Sequence, residues 1–526
     1  MKEIVFEEMS VEQKLGFVYA LSLYTDCSPE DEEYALTLIK GRSLGAVWVQ
    51  WEEKNAALIR ARIARLRAAA DYPLLILTDA ESGMDEYKIG HHNTIGRVGR
   101  EDRAYTFGRV LGVTAREKGY NVVCCPMLDV SESGSCRCIG SDVHKIASLA
   151  AAEARGMHDA GILTVGKHYP GAKNATDGDS HMVEGCSDET EEALLSHGLF
   201  PYLALMREGL LDGVMVEHHL FPQIDPDHPA SLSKPVIDII RRHGFDGILI
   251  TDALCMMGVR ARFGDTDPMG MAIAAGNDLA MMYSKRVSRY HDALRDCYAR
   301  GILSDEALDG AVKRLLKAQH KVFVNEQKSV PPITREEDLS VKDMERDGVF
   351  ARAEDGLSLA IAREGRYYFA LMVDNGLATD KGEVAVDTFS GGWYDPGRIR
   401  EKIKELFPNA TVQLFWQYPN QQQCFSVLNY SMGYDRVIFV TYSEFVAYTG
   451  AEHFTHRVVS LVEAMQHTGR ISTLVHFGNP TILGELPHIP RVILGGTAFA
   501  STMACLEVLA GEREAKGCLT YDVDFR

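Results

Sequence analysis

The sequence predicts an α/β protein that consists of a (β/α)8 TIM-type barrel and a C-terminal α/β layered sandwich domain. From residue 47 to residue 282, short apolar runs alternate with longer stretches of helical period, the pattern of βα units on a parallel sheet. A polar and then proline-rich stretch at 324–332 is typical of a linker. After it, a second series of apolar runs alternates with helices. The predicted domains are therefore residues 1–325, a linker at 326–345 and residues 346–526.

The first domain contains seven predicted strands, each a short apolar run of the kind that is buried on both faces. They are 46–50, 74–78, 121–126, 162–166, 213–216, 247–251 and 278–282. Seven units predict an eight-stranded barrel in which one strand is irregular or missed. An open doubly wound sheet stays an alternative, because periodicity does not distinguish closed from open parallel sheets.

Amphipathic stretches between these runs predict the helices of the barrel. They are clearest at 103–118, 143–159, 189–208, 288–300 and 305–320. Beyond the linker the same criteria predict strands at 368–373, 412–416, 437–442, 473–477 and 492–494, with helices at 398–406 and 457–466. This pattern favours a second, smaller α/β unit.

The charge balance excludes several classes of partner. Lysine and arginine number 55 against 74 acidic residues, a formal net charge of −19, whereas nucleic acids and anionic membranes require a basic face. The 11 cysteines show no regular spacing, which predicts reduced thiols rather than a disulfide framework. With no stretch typical of a signal peptide or a membrane span, the sequence predicts a cytoplasmic protein whose oligomeric state is left open.

Polar side chains follow five successive predicted strands of the barrel, at the edge where barrel enzymes place their reacting groups. They are Asp79, Asp129 with Arg137, Lys167 with His168, Glu217 with His218, and Asp252. One polar residue after a strand is usually a turn former, but five successive strand ends indicate a functional site.

The loop after the fourth predicted strand, residues 166–181, is rich in glycine, proline and Asx residues. Loops of this length inside compact domains are usually functional. Asp179 and His181 lie two residues apart in it, so a turn could give the imidazole a carboxylate partner that sets its tautomer and raises its basicity. Taken alone, such a pair is more often a turn beside a surface histidine.

With these motifs in order, the chain resembles the β-N-acetylglucosaminidase branch of glycoside hydrolase family three. That branch carries a KH[FY]PG…DSH loop, present here as KHYPG at 167–171 and DSH at 179–181. Its nucleophile motif corresponds to FDGILITD at 245–252, and the resemblance covers roughly residues 10–325. Segments 478–480 and 509–519 are more weakly similar to the family's C-terminal α/β sandwich domain.

The resemblance implies roles for seven residues and a metal-free, cofactor-free mechanism. Asp252 would be the nucleophile, and His181, paired with Asp179, the general acid/base. The remaining four residues would bind sugar hydroxyls: Asp79, Arg137, Lys167 and His168. A carboxylate beneath the anomeric carbon can stabilise an oxocarbenium-like transition state before it forms a covalent intermediate.

The chain departs from the family pattern at three places. Where the family usually reads E-G-G-R-V after the first aspartate, Ser82 and Met84 stand in this chain, so an expected arginine is missing. The flap carries Ala172-Lys173 where His-Gly is frequent, and Glu217 occupies a usually small or apolar position. These differences leave the aglycone and the exact sugar open.

The resemblance therefore implies a cytoplasmic, retaining exo-β-N-acetylhexosaminidase. Its substrates would be small carbohydrates such as muropeptides or chitooligosaccharides, as in peptidoglycan recycling. A β-glycoside phosphorylase or a β-glucosidase of the same family stays an alternative. From other classes, Lys167 could serve as the Schiff-base lysine of an aldolase, and the broken motif at 81–84 is compatible with a catalytically retired barrel that binds sugars.

Overall fold

The computed structural model describes residues 2–131, 137–171, 181, 183–373, 394–434, 436–443, 453–523 and 525. The chain divides into two compact units. One comprises Met1–Lys88, Glu101–Ser131 and Val143–Val341; the other comprises Ile89–Arg100, Glu132–Asp142 and Lys342–Arg526. The predicted domain boundaries at 325 and 346 stay predictions. None of the described helices combines the length and apolar composition that a bilayer span requires.

The first unit contains ten strands among its described residues. They are β1 (Tyr19–Ser22), β2 (Ala46–Trp48), β3 (Leu75–Thr78), β4 (Val122–Val123), β5 (Leu163–Tyr169), β6 (Gly213–Val216), β7 (Leu220–Phe221), β8 (Asp225–Pro229), β9 (Ile248–Thr251) and β10 (Ala280–Met282). Eight of them form one parallel sheet in the order β10-β1-β2-β3-β4-β5-β6-β9, and β7 pairs with β8 in an antiparallel hairpin.

The eight-stranded sheet curls into a nearly closed barrel. Its two ends, β9 and β10, meet through an isolated parallel bridge between Ile250 and Leu279, and the amide of Thr251 donates to the carbonyl of Leu279 at 3.0 Å. The predicted barrel is thereby confirmed. The strand missing from the sequence prediction is β1, which pairs with both β2 and β10.

Eighteen α-helices lie within the described residues of the two units. They are α1 (Val11–Phe17), α2 (Pro29–Lys40), α3 (Ala56–Ala69), α4 (Asn93–Val98), α5 (Glu101–Glu117), α6 (Val143–Asp159), α7 (Glu191–Ser196), α8 (Phe200–Arg207), α9 (Lys234–Arg242), α10 (Met257–Phe263), α11 (Asp267–Ala275), α12 (Val287–Ala299), α13 (Asp305–Glu326), α14 (Arg335–Asp347), α15 (Pro396–Leu406), α16 (Gln421–Ser431), α17 (His456–His467) and α18 (Phe499–Leu509). Short 3₁₀ turns lie at Phe6–Glu8, Glu53–Asn55, Asp85–Tyr87, Ala230–Leu232 and Pro480–Glu485.

The helix predicted at 189–208 is two helices, α7 and α8, and that prediction was wrong. Between them Gly198 packs directly on the backbone of Gly171, where an added Cβ would lie 2.0 Å from the Gly171 carbonyl oxygen. Pro201 then stands in the first turn of α8, a position that suits its fixed φ and missing N–H. A contact between segments distant in sequence therefore interrupts an otherwise helical pattern.

The second unit is built on a six-stranded mixed sheet, as expected for an α/β layered domain. Its strands are β11 (Phe350–Ala353), β12 (Tyr367–Val373), β13 (Thr411–Trp416), β14 (Arg436–Tyr442), β15 (Ile471–Phe477) and β16 (Arg491–Gly495), in the order β11-β16-β15-β14-β12-β13. Only the edge strand β11 runs antiparallel to its neighbour among these described strands. The buried core contains residues from strands β12, β14 and β15 and from helices α17 and α18.

Candidate active site

Four of the seven predicted site residues gather where barrel strands end at their carboxyl edge. Asp79 follows β3, Lys167 and His168 lie near the end of β5, and Asp252 follows β9. The ladder between β5 and β6 shifts register between Lys167 and Tyr169. Such an irregularity re-aims side chains, and here two consecutive residues of one strand both reach carboxylates of the site.

Lys167 is a buried cation held between two carboxylates. Its side chain is 1% exposed, and the Nζ atom forms ion pairs with Asp79 and with Glu81, the latter at 2.9 Å from Oε2. An ammonium paired in this way is fixed as a hydrogen-bond donor, and it fixes both carboxylates in turn. The arrangement does not favour the aldolase alternative, which requires a free amine as nucleophile.

His168 is oriented by Asp129. The backbone amide of His168 donates to Oδ1 of Asp129 at 2.7 Å, and Nδ1 of the ring lies 2.8 Å from Oδ2. Because a carboxylate only accepts hydrogen bonds, Nδ1 carries the proton of this contact. The opposite ring atom, Nε2, lies 3.9 Å from Oδ2 of Asp252.

Asp252 stands in a position and charge state that suit a nucleophile. Its amide donates to the carbonyl of Val216 at 2.8 Å, and its Oδ1 accepts from the amide of Ala253 at 2.6 Å. Burial on its own raises the pKa of this carboxyl, but the imidazoles of His168, His218 and His181 and the hydrogen bond from the amide of Ala253 together outweigh that effect. The net pKa lies below the ordinary value, so Asp252 is a carboxylate at neutral pH.

His218 lies near Asp252 and is a neutral imidazole at neutral pH. Its Nε2 donates to the carbonyl of Ala253 at 3.1 Å, and its Nδ1 accepts from the hydroxyl of Ser231 at 2.8 Å. Burial lowers the pKa of His218 to about 4. The strand-end pattern pointed to this residue, but its bonds to segments 13 and 35 residues away could not be inferred from it.

Tyr283 is a site residue that the sequence analysis did not identify. It follows β10 directly, and its ring lies 5.6 Å from Trp48 and 5.9 Å from Tyr24 between ring centroids. Burial, together with the nearby carboxylates of Asp79 and Asp252, raises the pKa of its hydroxyl well above the ordinary value. The same strand-end rule that selected Asp252 could have found it.

The structure describes fewer contacts for the remaining three predicted residues. The carbonyl of His181 accepts from the amide of Met257 at 3.2 Å, and the imidazole of His181 contributes to the lowered pKa of Asp252. Asp179 lies outside the described residues. Arg137 is half-buried and belongs to the second unit, and its sugar-binding role stays a prediction.

Comparisons with known proteins identify a family for the chain. The model for the glycosyl hydrolase family 3 N-terminal domain matches residues 10–318. A β-hexosaminidase from Idiomarina loihiensis is 32% identical over 240 residues, which cover 43% of this chain and 71% of that protein. A β-N-acetylglucosaminidase/β-glucosidase from Cellulomonas fimi is 26% identical over 347 residues, 62% of this chain and 60% of that one.

Among solved structures, a family 3 β-N-acetylglucosaminidase from Paenibacillus shares the fold over nearly the whole chain. It superposes with a TM-score of 0.79 at 23% identity, covering 98% of this chain and 100% of the other.

Proposed function

This chain belongs to glycosyl hydrolase family 3 and is a glycoside hydrolase, and we propose that it removes terminal β-linked N-acetylhexosamine from small glycosides with retention of configuration. In this proposal Asp252 is the nucleophile and His181, with Asp179, the acid/base. The sugar preference is supported by the names of the relatives, a β-hexosaminidase and a β-N-acetylglucosaminidase/β-glucosidase.

The observation that carries the proposal is the ionised, partly buried carboxylate of Asp252, whose side chain is 20% exposed. One oxygen is fixed by the amide of Ala253, while the other, Oδ2, faces the imidazole of His168 at 3.9 Å. In the first step this second oxygen attacks the anomeric carbon as the bond to the aglycone breaks, which gives a covalent glycosyl-enzyme. In the second step water displaces the carboxylate, and two inversions give net retention.

The neighbouring side chains supply the contacts that hold a sugar ring in front of Asp252. Asp79 can accept from hydroxyls, and Lys167, whose position is fixed by Asp79 and Glu81, can donate to sugar oxygens. His168, held by Asp129, presents its Nε2 edge toward the nucleophile. Charged partners of fixed geometry favour a small polar sugar over an apolar ligand.

His181 supplies the proton for the leaving group in this proposal. As an imidazolium it protonates the departing oxygen, and as the neutral imidazole left behind it takes a proton from the attacking water. Its backbone is fixed beside the loop after β9 through the amide of Met257. We propose muropeptides or chitooligosaccharides as the substrates and the cytoplasm as the compartment, as the family resemblance implies. The reaction uses no metal or cofactor in this proposal.

A panel of aryl β-glycosides of N-acetylglucosamine, N-acetylgalactosamine, glucose and xylose tests the sugar assignment. We expect the highest kcat/KM for the N-acetylglucosaminide; a glucoside that exceeds it at least about tenfold would overturn the assignment. A 2-deoxy-2-fluoro or 5-fluoro glycosyl fluoride should label Asp252 by forming an ester that persists. Labelling of Asp79 or Glu217 would refute the nucleophile.

The role of His181 is tested by leaving-group dependence. His181→Ala should slow substrates with poor leaving groups far more than nitrophenyl glycosides, whose leaving group needs little protonation. Equal losses on both classes would remove His181 from the acid role. The same reactions in phosphate buffer distinguish the phosphorylase alternative, because a β-configured sugar 1-phosphate would accumulate in place of free sugar.

A further inference from the structure

The chain that follows His181 is anchored to the end of the barrel beside β6 and β7. We call residues 183–187 the return segment. The amide of Leu220 donates to the carbonyl of Gly185 at 2.9 Å, and the amide of Ser187 donates to the carbonyl of Leu220 at 2.9 Å. Cys186 forms a parallel bridge with Leu220. His181 lies four residues before Gly185, so the position of the return segment limits where His181 can lie.

The ring of His219 occupies the space that a side chain at position 185 would need. A Cβ added to Gly185 would lie 2.0 Å from Cδ2, 2.5 Å from Nε2 and 3.3 Å from Cγ of His219, and these are its three nearest atoms. Gly185 is not among the glycines with a left-handed φ, so its backbone alone would accept alanine. The imidazole, and not the local backbone, therefore requires glycine here.

His219 cannot easily move away, because Glu217 holds it. Oε2 of Glu217 pairs with Nδ1 of His219, and the main chain of Glu217 is fixed on both sides. Its amide donates to the carbonyl of Tyr169 at 3.0 Å, and its carbonyl accepts from the amide of Ser231 at 3.0 Å. Both side chains of the pair are largely buried, 10% exposed for Glu217 and 15% for His219.

The pKa shifts of Glu217 and His219 also fit a paired arrangement. Burial raises the pKa of the Glu217 carboxyl, and although burial lowers that of His219, the adjacent carboxylate raises it overall. Both directions favour a proton shared between the two groups. Oε1 of Glu217 is buried and has no hydrogen-bond partner among the described residues, so the contact with His219 is the one that holds this side chain.

We propose that Glu217, His219 and Gly185 form a seat that fixes the return segment and thereby positions His181 for proton transfer to the leaving group of a sugar bound at Asp252. This inference rests on the proposed acid/base role of His181. Glu217 and His219 act through the backbone of the return segment and are positioning residues. The seat also gives a function to Glu217, which occupies a position that is usually small or apolar in the family pattern.

A suppressor experiment tests the seat. Gly185→Ala should push the return segment away from the clamped ring and lower kcat/KM on a poorly activated substrate such as chitobiose by roughly 10²-fold, since an ångström of misplacement has effects of that size. Nitrophenyl glycosides should lose about threefold or less, because they need little protonation. Adding His219→Ala removes the clashing atoms, so the double variant G185A/H219A should recover about tenfold on chitobiose.

Gly433→Ala is the matched control, because a Cβ there meets nothing within 4 Å and the residue does not have a left-handed φ. Active-site titration with a fluorosugar, in every variant, counts folded enzyme and separates misplacement from unfolding. The inference is overturned if G185A lowers kcat/KM equally on both substrate classes. It is also overturned if adding His219→Ala to G185A does not restore kcat/KM on chitobiose while titration shows intact enzyme. Equal losses for His181→Ala would instead overturn the proposed acid role.

Discussion

The two units of this chain each place a histidine near the carboxyl end of a parallel strand, with opposite results. In the barrel, His168 pairs with the carboxylate of Asp129 and faces the carboxylate of Asp252 at 3.9 Å. In the second unit, His476 on β15 meets only neutral groups among its described partners. Its Nδ1 lies 2.9 Å from the hydroxyl of Thr441, and its Nε2 lies 2.9 Å from the carbonyl of Asn479.

The difference shows that sheet geometry gathers polar side chains, whereas the identity of the partners decides whether they can react. Burial lowers the pKa of His476 to about 4, and no carboxylate among the described residues offsets it, so the ring is a neutral structural bridge. The carboxylates around His168 create a site in which charge can be stabilised and protons moved. Three experiments test this contrast.

The largest effect is expected from Asp252→Ala. Removing the carboxylate that we propose as the nucleophile should lower kcat on nitrophenyl glycosides by about 10⁴-fold or more, with the fold retained. Azide should restore part of the rate, because it can attack the anomeric carbon from the side that the Asp252 carboxylate occupied. The product would be an α-glycosyl azide. Thr441→Val, which removes a neutral partner of His476, should leave kcat unchanged. A comparable loss in that variant would contradict the division of roles.

Lys167→Met should have the next largest effect. It leaves the carboxylates of Asp79 and Glu81 without the cation between them, and we expect the free energy of unfolding to fall by about 3 kcal/mol. The matched control is Lys317→Met, whose ion pair with Asp246 is 53% and 68% exposed and should cost less than about 1 kcal/mol. Urea unfolding at neutral pH measures both; equal losses would show that Lys167 is not specially coupled.

The smallest effect concerns pH. A histidine with a pKa of about 4 in the folded state and about 6.5 unfolded binds more protons when unfolded, so stability falls as pH drops below about 6.5. For His476 this loss amounts to about 2 kcal/mol between pH 7.5 and pH 5. His476→Asn should remove that portion of the pH dependence in urea unfolding. An unchanged pH slope would mean that the ring is protonated inside the folded unit.

The fold was largely predictable because buried parallel strands have a strong sequence pattern. The strand β6 has the predicted bounds, and the other barrel strands differ from the prediction by a few residues at their ends. β1 was missed because α1 ends at Phe17 and only Val18 separates it from Tyr19, so no turn-forming residue divides the apolar run. Local pattern fails where one element passes directly into the next.

The site was predictable to the extent that strand ends define it. Asp79, Lys167, His168 and Asp252 follow from the alignment of parallel strands in one sheet. What could not be predicted is which groups pair across the barrel. Lys167 and Asp79 are 88 residues apart, and their ion pair depends on the order of strands β3, β4 and β5 in the closed sheet.

The pairing of β1 with β10 has a consequence for synthesis. Tyr19 pairs with Ala280, about 260 residues later, so the seam cannot form until the last barrel strand has left the ribosome. At about 5–20 residues per second, the first strand waits roughly 13–50 s for its second neighbour. Asp252 directly follows β9, and Ile250 of β9 bridges to Leu279 just before β10, so we expect the proposed nucleophile to be among the last groups to reach its place. During translation the nascent enzyme would thus stay inactive until the barrel closes.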